Sequence, residues 1–238
     1  MSGQNIRVSA SDGGEFGAYV ALPESGSAPG PAPGIVLLHE IFGVTPWITD
    51  TADLFAAQGY CVAAPEMFWR LEPSFVADFR DPAQREKGFQ YRGLIDHDKA
   101  VDDIAAVIAR LKAMPECNGK IGVTGFCTGG TLTYLAAARL DIDAAVAYYG
   151  TQIHEFLDEG QKITCPTILH AGTSDEHVPL ELLKQIEAAL AGNGNITIHE
   201  YDSGHAFAHT ERADHYSAEA SEQAHRRTFA LFNGLRKG

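Results

Sequence analysis

The chain has 238 residues with 31 acidic and 18 basic side chains, a formal net charge of −13, and 45% hydrophobic against 21% charged residues. That length suits one α/β domain over residues 1–238, which buries roughly 70–75% of its unfolded surface and needs no staples. The acidic balance speaks against nucleic acid and anionic membrane surfaces as partners, because both select clustered Lys and Arg.

In chain order, residues 5–10 and 16–22 are β-prone runs around Asp12-Gly13-Gly14 and predict an N-terminal hairpin. The Pro- and Gly-rich patch at 25–34 reads as a turn between strands. Ile35-Val36-Leu37-Leu38 is a continuous apolar run, the pattern of a strand buried on both faces, and similar runs recur at 61–64, 120–124, 144–149, 167–170 and 196–201. Helical patterns lie between them at 48–58, 98–113, 131–140, 180–191 and 216–235; the second carries Val101, Ile104, Ala105, Ile108 and Leu111 on one stripe. Strands alternating with helices predict a doubly wound, mostly parallel sheet flanked by helices. Residues 68–96 break the pattern. They are aromatic and arginine-rich, and read as an excursion that covers a substrate.

None of the four cysteines, Cys61, Cys117, Cys127 and Cys165, is spaced as C-x-x-C, and the N-terminal residues lack the apolar segment of a secretory signal, so a reducing cytoplasm is expected. The uncharged stretch 121–138 raises the question of a membrane span. Its glycines, threonines and change of period read instead as strand, turn and helix.

In open α/β sheets the ligand crevice lies beyond the carboxyl ends of the strands. Between one predicted strand and the next helix stands Gly125-Phe126-Cys127-Thr128-Gly129-Gly130, a nucleophile elbow with cysteine where serine is usual. The glycines permit the tight turn, and the following helix directs its N-terminal amides at the nucleophile, favouring thiolate and oxyanion alike. Thr128 N–H is then a natural oxyanion donor. An elbow requires an acid after a later strand and a histidine after the last one. Asp175, after 167–170, and His205, after 196–201, stand in that order. Glu176 is a rival to Asp175, and His177 and His209 are rivals to His205; His177 adjoins the acid, while His209 is expected one helical turn beyond His205. His205 would move the proton and Asp175 would fix its tautomer.

With these residues in place, the chain resembles the dienelactone hydrolase (carboxymethylenebutenolidase) family from Asp12 to the last helix. The resemblance rests on His39-Glu40-Ile41-Phe42-Gly43, the elbow, Tyr148-Tyr149-Gly150, Gly172-Thr173-Ser174-Asp175 and Gly204-His205-Ala206-Phe207. It implies an α/β-hydrolase fold and the opening of an enol-lactone through Cys127. It further implies that Glu40 restrains the thiol, that Ile41 N–H completes the oxyanion hole, and that Arg85 binds a substrate carboxylate. Phe42, Phe89, Tyr148 and His209 would line the substrate. The family's second arginine is replaced by His209, with Arg212 an alternative cation, and its covering tyrosine by Phe89. These departures leave open a carboxylesterase or thioesterase acting on another acyl group. A non-catalytic member of the fold is the third reading, against which the intact Cys127, Asp175 and His205 stand.

No cofactor is expected. His205 and His209 lack the Glu of H-E-x-x-H, and no phosphate loop or dinucleotide fingerprint follows the first buried strand. The expected partner is a small, carboxylate-bearing lactone or ester, handled by a monomer or small homo-oligomer.

Overall fold

The computed structural model describes residues 3–24 and 30–236. Residues 25–29 of the 25–34 turn lie outside the described residues. The chain divides into two compact units, Met1–Ile121 and Gly122–Gly238.

In the first unit, strands β1 (Gln4–Ser9) and β2 (Glu15–Ala21) form the antiparallel hairpin, turning through Gly13 and Gly14 at φ 99° and 88°. Strand β4 (Cys61–Pro65) pairs antiparallel with β2 and parallel with β3 (Ala32–Leu38). Every residue of β3 is buried, which is why its sequence is apolar without alternation. Helix α1 (Pro46–Ala57) links β3 to β4 and opens on a proline, whose missing N–H costs nothing at that position. Helix α3 (His97–Lys112) buries Val101, Ile104, Ile108 and Leu111 of the predicted stripe, leaves Ala105 half-buried, adds Val107, and packs on β3 and β4.

The covering segment is more ordered than its composition suggests. It contains helix α2 (Pro82–Leu94), whose N-cap Asp81 accepts from Ala83 and Gln84 N–H. Asp96 caps α3 in the same way.

In the second unit, β5 (Cys117–Phe126, beginning inside the first), β6 (Ala144–Tyr148), β7 (Thr167–Gly172) and β8 (Ile196–Tyr201) pair in parallel in that order. Helix α4 (Thr128–Arg139) starts three residues before its apolar periodicity does, because the chain turns from strand to helix at Cys127 alone. Helix α5 (Leu180–Leu190) follows β7. The final helical pattern resolves into α6 (Ala218–Phe232), capped by Ser217, and a 3₁₀ turn at Asn233–Arg236.

Candidate active site

Cys127 sits between the last residue of β5 and the first of α4 with φ 56° and ψ −116°, a conformation that costs a non-glycine residue about 1–3 kcal/mol. The surroundings hold it there. Its N–H donates to Tyr148 O at 3.0 Å, and its carbonyl accepts from Thr131 N–H at 3.2 Å. Helix α4 lies so close to β6 that a Cβ on Gly130 would stand 2.6 Å from Tyr148 O and 3.0 Å from Gly150 Cα. The elbow glycine therefore serves close packing as well as the turn. Cys127 and Thr128 are both buried, with Sγ 4.0 Å from Thr128 Oγ1.

Beyond β7, Asp175 divides its carboxylate between two tasks. Oδ1 accepts from the N–H groups of His177 (2.7 Å) and Val178 (3.1 Å), while Oδ2 accepts from His205 Nδ1 at 2.8 Å. The turn-forming role and the orienting role thus belong to the same side chain. Glu176 points elsewhere, with its Oε1 3.8 Å from His177 Nε2 and its side chain 56% exposed.

The loops after β7 and β8 are tied together. Ser174 N–H donates to Ser203 O at 3.0 Å, and Gly172 leaves no room for a Cβ, which would fall 2.3 Å from that carbonyl.

His205 is 3% exposed and hydrogen-bonds Asp175. Burial works against its charge, but interaction with Cys127 and the hydrogen bond and charge of Asp175 outweigh burial and raise its pKa to about 10. Burial also pushes the Asp175 carboxyl upward. The hydrogen bond and charge of His205, with the two amide donors, more than reverse this and hold it below the usual range. Such residues can act chemically as nucleophile (Cys127, beside the α4 amides), proton carrier (His205) and orienting acid (Asp175).

Tyr148 requires a correction. Expected to line substrate, it is fully buried, and its hydroxyl lies 2.6 Å from Thr228 Oγ1 of α6. Its neighbour Tyr149, at φ 39°, sets its ring edge-on to His205 at 4.9 Å. Alternation of side chains at a strand end is the signal that distinguishes the two. His177 also flanks His205, with ring centroids 4.6 Å apart. His209 is buried, but it follows a non-helical turn whose backbone bond runs from His209 N to Ala206 O, so it does not stand one helical turn beyond His205.

In the first unit, the loop after β3 buries His39, Glu40, Ile41 and Phe42. Phe42 packs near Phe79, with centroids 6.1 Å apart. On α2, Arg85 is exposed and Phe89 half-buried under the Arg92 guanidinium. Among the described residues, no group of three or more His, Cys, Asp or Glu side chains is arranged to hold a metal ion, and no helix is long and apolar enough to cross a membrane.

A mostly parallel α/β architecture with a strained nucleophile elbow, a later acid and a last-strand histidine defines an α/β-hydrolase-type site. The dienelactone hydrolase family model matches residues 16–235, and the chain belongs to that family. It is 31% identical over 236 residues to carboxymethylenebutenolidase 1 of Cupriavidus pinatubonensis, with 99% of both chains covered. It is 33% identical to the carboxymethylenebutenolidase of Pseudomonas putida, with 95% of both covered. A crystal structure of a candidate dienelactone hydrolase from Klebsiella pneumoniae superposes with a TM-score of 0.84 at 26% identity, covering 98% of this chain and 99% of that one.

Proposed function

We propose that the protein hydrolyses an enol-lactone or a related small carboxylic ester through Cys127, as the names of its Cupriavidus and Pseudomonas relatives suggest. The observation that carries this reading is the strained Cys127 elbow, φ 56°, together with the buried His205–Asp175 pair, Nδ1 to Oδ2 at 2.8 Å.

The Cys127 thiolate attacks the carbonyl carbon, and the oxyanion is received by the N–H groups of Thr128 and Ile41. Collapse breaks the C–O bond and expels an enolate, which takes up a proton and relaxes to the ketone. His205 supplies that proton and becomes neutral. It then removes a proton from water as water attacks the thioester, and the Cys127 thiolate leaves beside a restored imidazolium. Opening a lactone in this way yields one product molecule. Between turnovers the proton returns from His205 to the sulfur, and Glu40 restrains Cys127 as the thiol, since a carboxylate nearby disfavours a thiolate until substrate rearranges the pair. Arg85 receives the substrate's carboxylate.

The replacement of the family's second arginine by His209 supports a second reading, a carboxylesterase or thioesterase for a different acyl group. A cytoplasmic location belongs to the same proposal: the four cysteines are free thiols, and catalysis needs Cys127 reduced.

Cys127→Ala is the test. Turnover of an enol-lactone and of a p-nitrophenyl ester should fall by several orders of magnitude in a folded protein, and iodoacetamide should inactivate the wild type in step with loss of one thiol. Substantial activity in folded Cys127→Ala refutes the mechanism. A panel of lactones, oxygen esters and thioesters separates the two substrate readings.

A further inference from the structure

His39, the first residue after β3, takes no part in the chemistry above, yet its imidazole is committed at both nitrogens. Met67 N–H donates to Nε2 at 3.0 Å, and Nδ1 lies 2.5 Å from Glu40 O. An amide can only donate, so Nε2 is bare, and the ring proton must be on Nδ1, pointing at the Glu40 carbonyl. The ring is 2% exposed and packs edge-on against Phe68, with centroids 5.2 Å apart. Burial lowers its pKa to about 4, so it remains the neutral tautomer across the physiological range.

The Glu40 carbonyl and the Ile41 N–H belong to one peptide group, which is planar and trans. Fixing the carbonyl direction therefore fixes the N–H in the opposite direction. The following peptides are held too. Helix α2 lies against Ile41 O so closely that a Cβ on Gly88 would fall 2.5 Å from it, and Ala77 N–H donates to Phe42 O at 2.9 Å. A Cβ on Gly43, at φ 78°, would meet Phe75 O at 1.9 Å. The covering segment thus clamps the loop residue by residue, and on the peptide that carries Ile41 N–H His39 is the shorter of two contacts, since Gly43 N–H reaches the Glu40 carbonyl only at 3.5 Å.

We infer that His39 is a positioning residue for the oxyanion donor: its neutral, Nδ1-protonated imidazole spans Met67 N–H and Glu40 O and so aims the Ile41 amide. This rests on the reading above that Ile41 N–H receives the oxyanion. A misaimed donor weakens binding of the tetrahedral intermediate and leaves both the thiolate and ground-state binding intact. Its signature is therefore a loss in kcat without a matching change in KM or in thiol reactivity.

The experiment compares wild type with His39→Leu, which removes both hydrogen bonds, and His39→Gln, whose amide can donate to Glu40 O and accept from Met67 N–H. The substrate is a p-nitrophenyl ester, and alkylation of Cys127 by iodoacetamide is followed in parallel. Because alkylation needs a thiolate and no oxyanion hole, it reports on the nucleophile alone. His39→Leu should lose about 100-fold in kcat, the scale of one oxyanion donor, with KM and alkylation rate within about twofold, and His39→Gln should recover at least tenfold of the loss. Should the leucine protein not fold, His39→Asn, too short to span both partners, takes its place with the same expected split.

A kcat within about threefold of wild type, or a parallel fall in kcat and alkylation, overturns the inference. Independently, imidazole ¹⁵N spectra of wild type at pH 7 should contain a neutral Nδ1–H tautomer that is lost in His39→Gln; an Nε2–H tautomer or a cation for this ring overturns it. If folded Cys127→Ala stays active, the mechanism itself fails and this inference falls with it. If Cys127→Ala is inactive while His39→Leu retains its kcat, only the role of His39 is lost.

Discussion

The loops after β3 and β8 each bury a histidine, one neutral and the other cationic. His39 and His205 are 2% and 3% exposed, yet burial lowers the first to a pKa of about 4 while the second rises to about 10. The partners make the difference. His39 meets two backbone groups without net charge, which hydrogen-bond a neutral imidazole fully; the Glu40 carbonyl and the Glu66 charge favour its cation, but too little to offset burial. His205 meets a sulfur and a carboxylate, and its cation is the better-solvated form inside the protein. The first environment suits a fixed strut and the second a proton carrier, and exposure does not tell them apart.

The largest effect should come from removing the charge on the second loop alone. Asp175→Asn keeps the shape and the turn-forming acceptor for His177 and Val178 but withdraws the carboxylate from His205 Nδ1. The imidazolium loses its support, and the amide can donate to Nδ1 and favour the wrong tautomer. A loss of about 10³–10⁴ in kcat is expected, with folding retained. Single-turnover kinetics with a p-nitrophenyl ester measure it, and a loss below about tenfold would show that Asp175 serves the turn only.

The same comparison separates what the sequence makes legible from what it does not. β3 is recognisable because burial on both faces demands an unbroken apolar run, and Cys127 because an elbow needs small residues at fixed spacing around it. Asp175 and His205 could be located by counting strand ends, since strand order constrains them. The role of His39 could not be read. Its partners are a neighbouring carbonyl and the amide of Met67, 28 residues away, and backbone groups leave no trace in residue identity. Gly88 is equally silent, because its reason is the Ile41 carbonyl that α2 rests on. Tyr148 and Tyr149 were separable in principle. One residue of register at the end of β6 decides which ring packs on α6 and which on His205.

Acid should strike the first loop's histidine. His39 titrates near 6.5 when unfolded and near 4 when folded. Above 6.5 both states are neutral and stability is complete; as pH falls from there through 4, the unfolded chain takes up a proton that the folded one refuses, and stability is lost. By pH 4.5 the loss amounts to about 2–3 kcal/mol. His205 runs the other way. Its contribution is complete below 6.5 and is lost as pH rises through about 10. Urea unfolding of wild type and His39→Gln at pH 7 and 4.5 isolates the first effect, because His170, His199 and His225, whose pKa values burial also lowers, are common to both proteins. The glutamine protein should lose less stability between the two pH values by that amount. Equal losses would show that His39 is not the refused site.

The smallest expected effect tests whether the covering segment recognises substrate as well as clamping the loop. Arg85 lies one turn into α2, exposed, its backbone N–H bonded to Asp81 O. A cation so near a helix N-terminus faces the positive end of the dipole, so local helix stability gives no reason for an arginine there. Arg85→Ala should therefore leave the melting temperature unchanged or slightly higher. Activity should divide by substrate. A charge-assisted hydrogen bond to a carboxylate, discounted for exposure, is worth roughly five- to tenfold in KM. A carboxylate-bearing lactone should show that loss and a neutral p-nitrophenyl ester should not, and added salt should narrow the gap by screening the pair. Equal losses on both substrates would assign Arg85 to the structure of the cover. No loss on either would move the anion site away from α2 and bring His209, buried beyond β8, forward as the group to vary next.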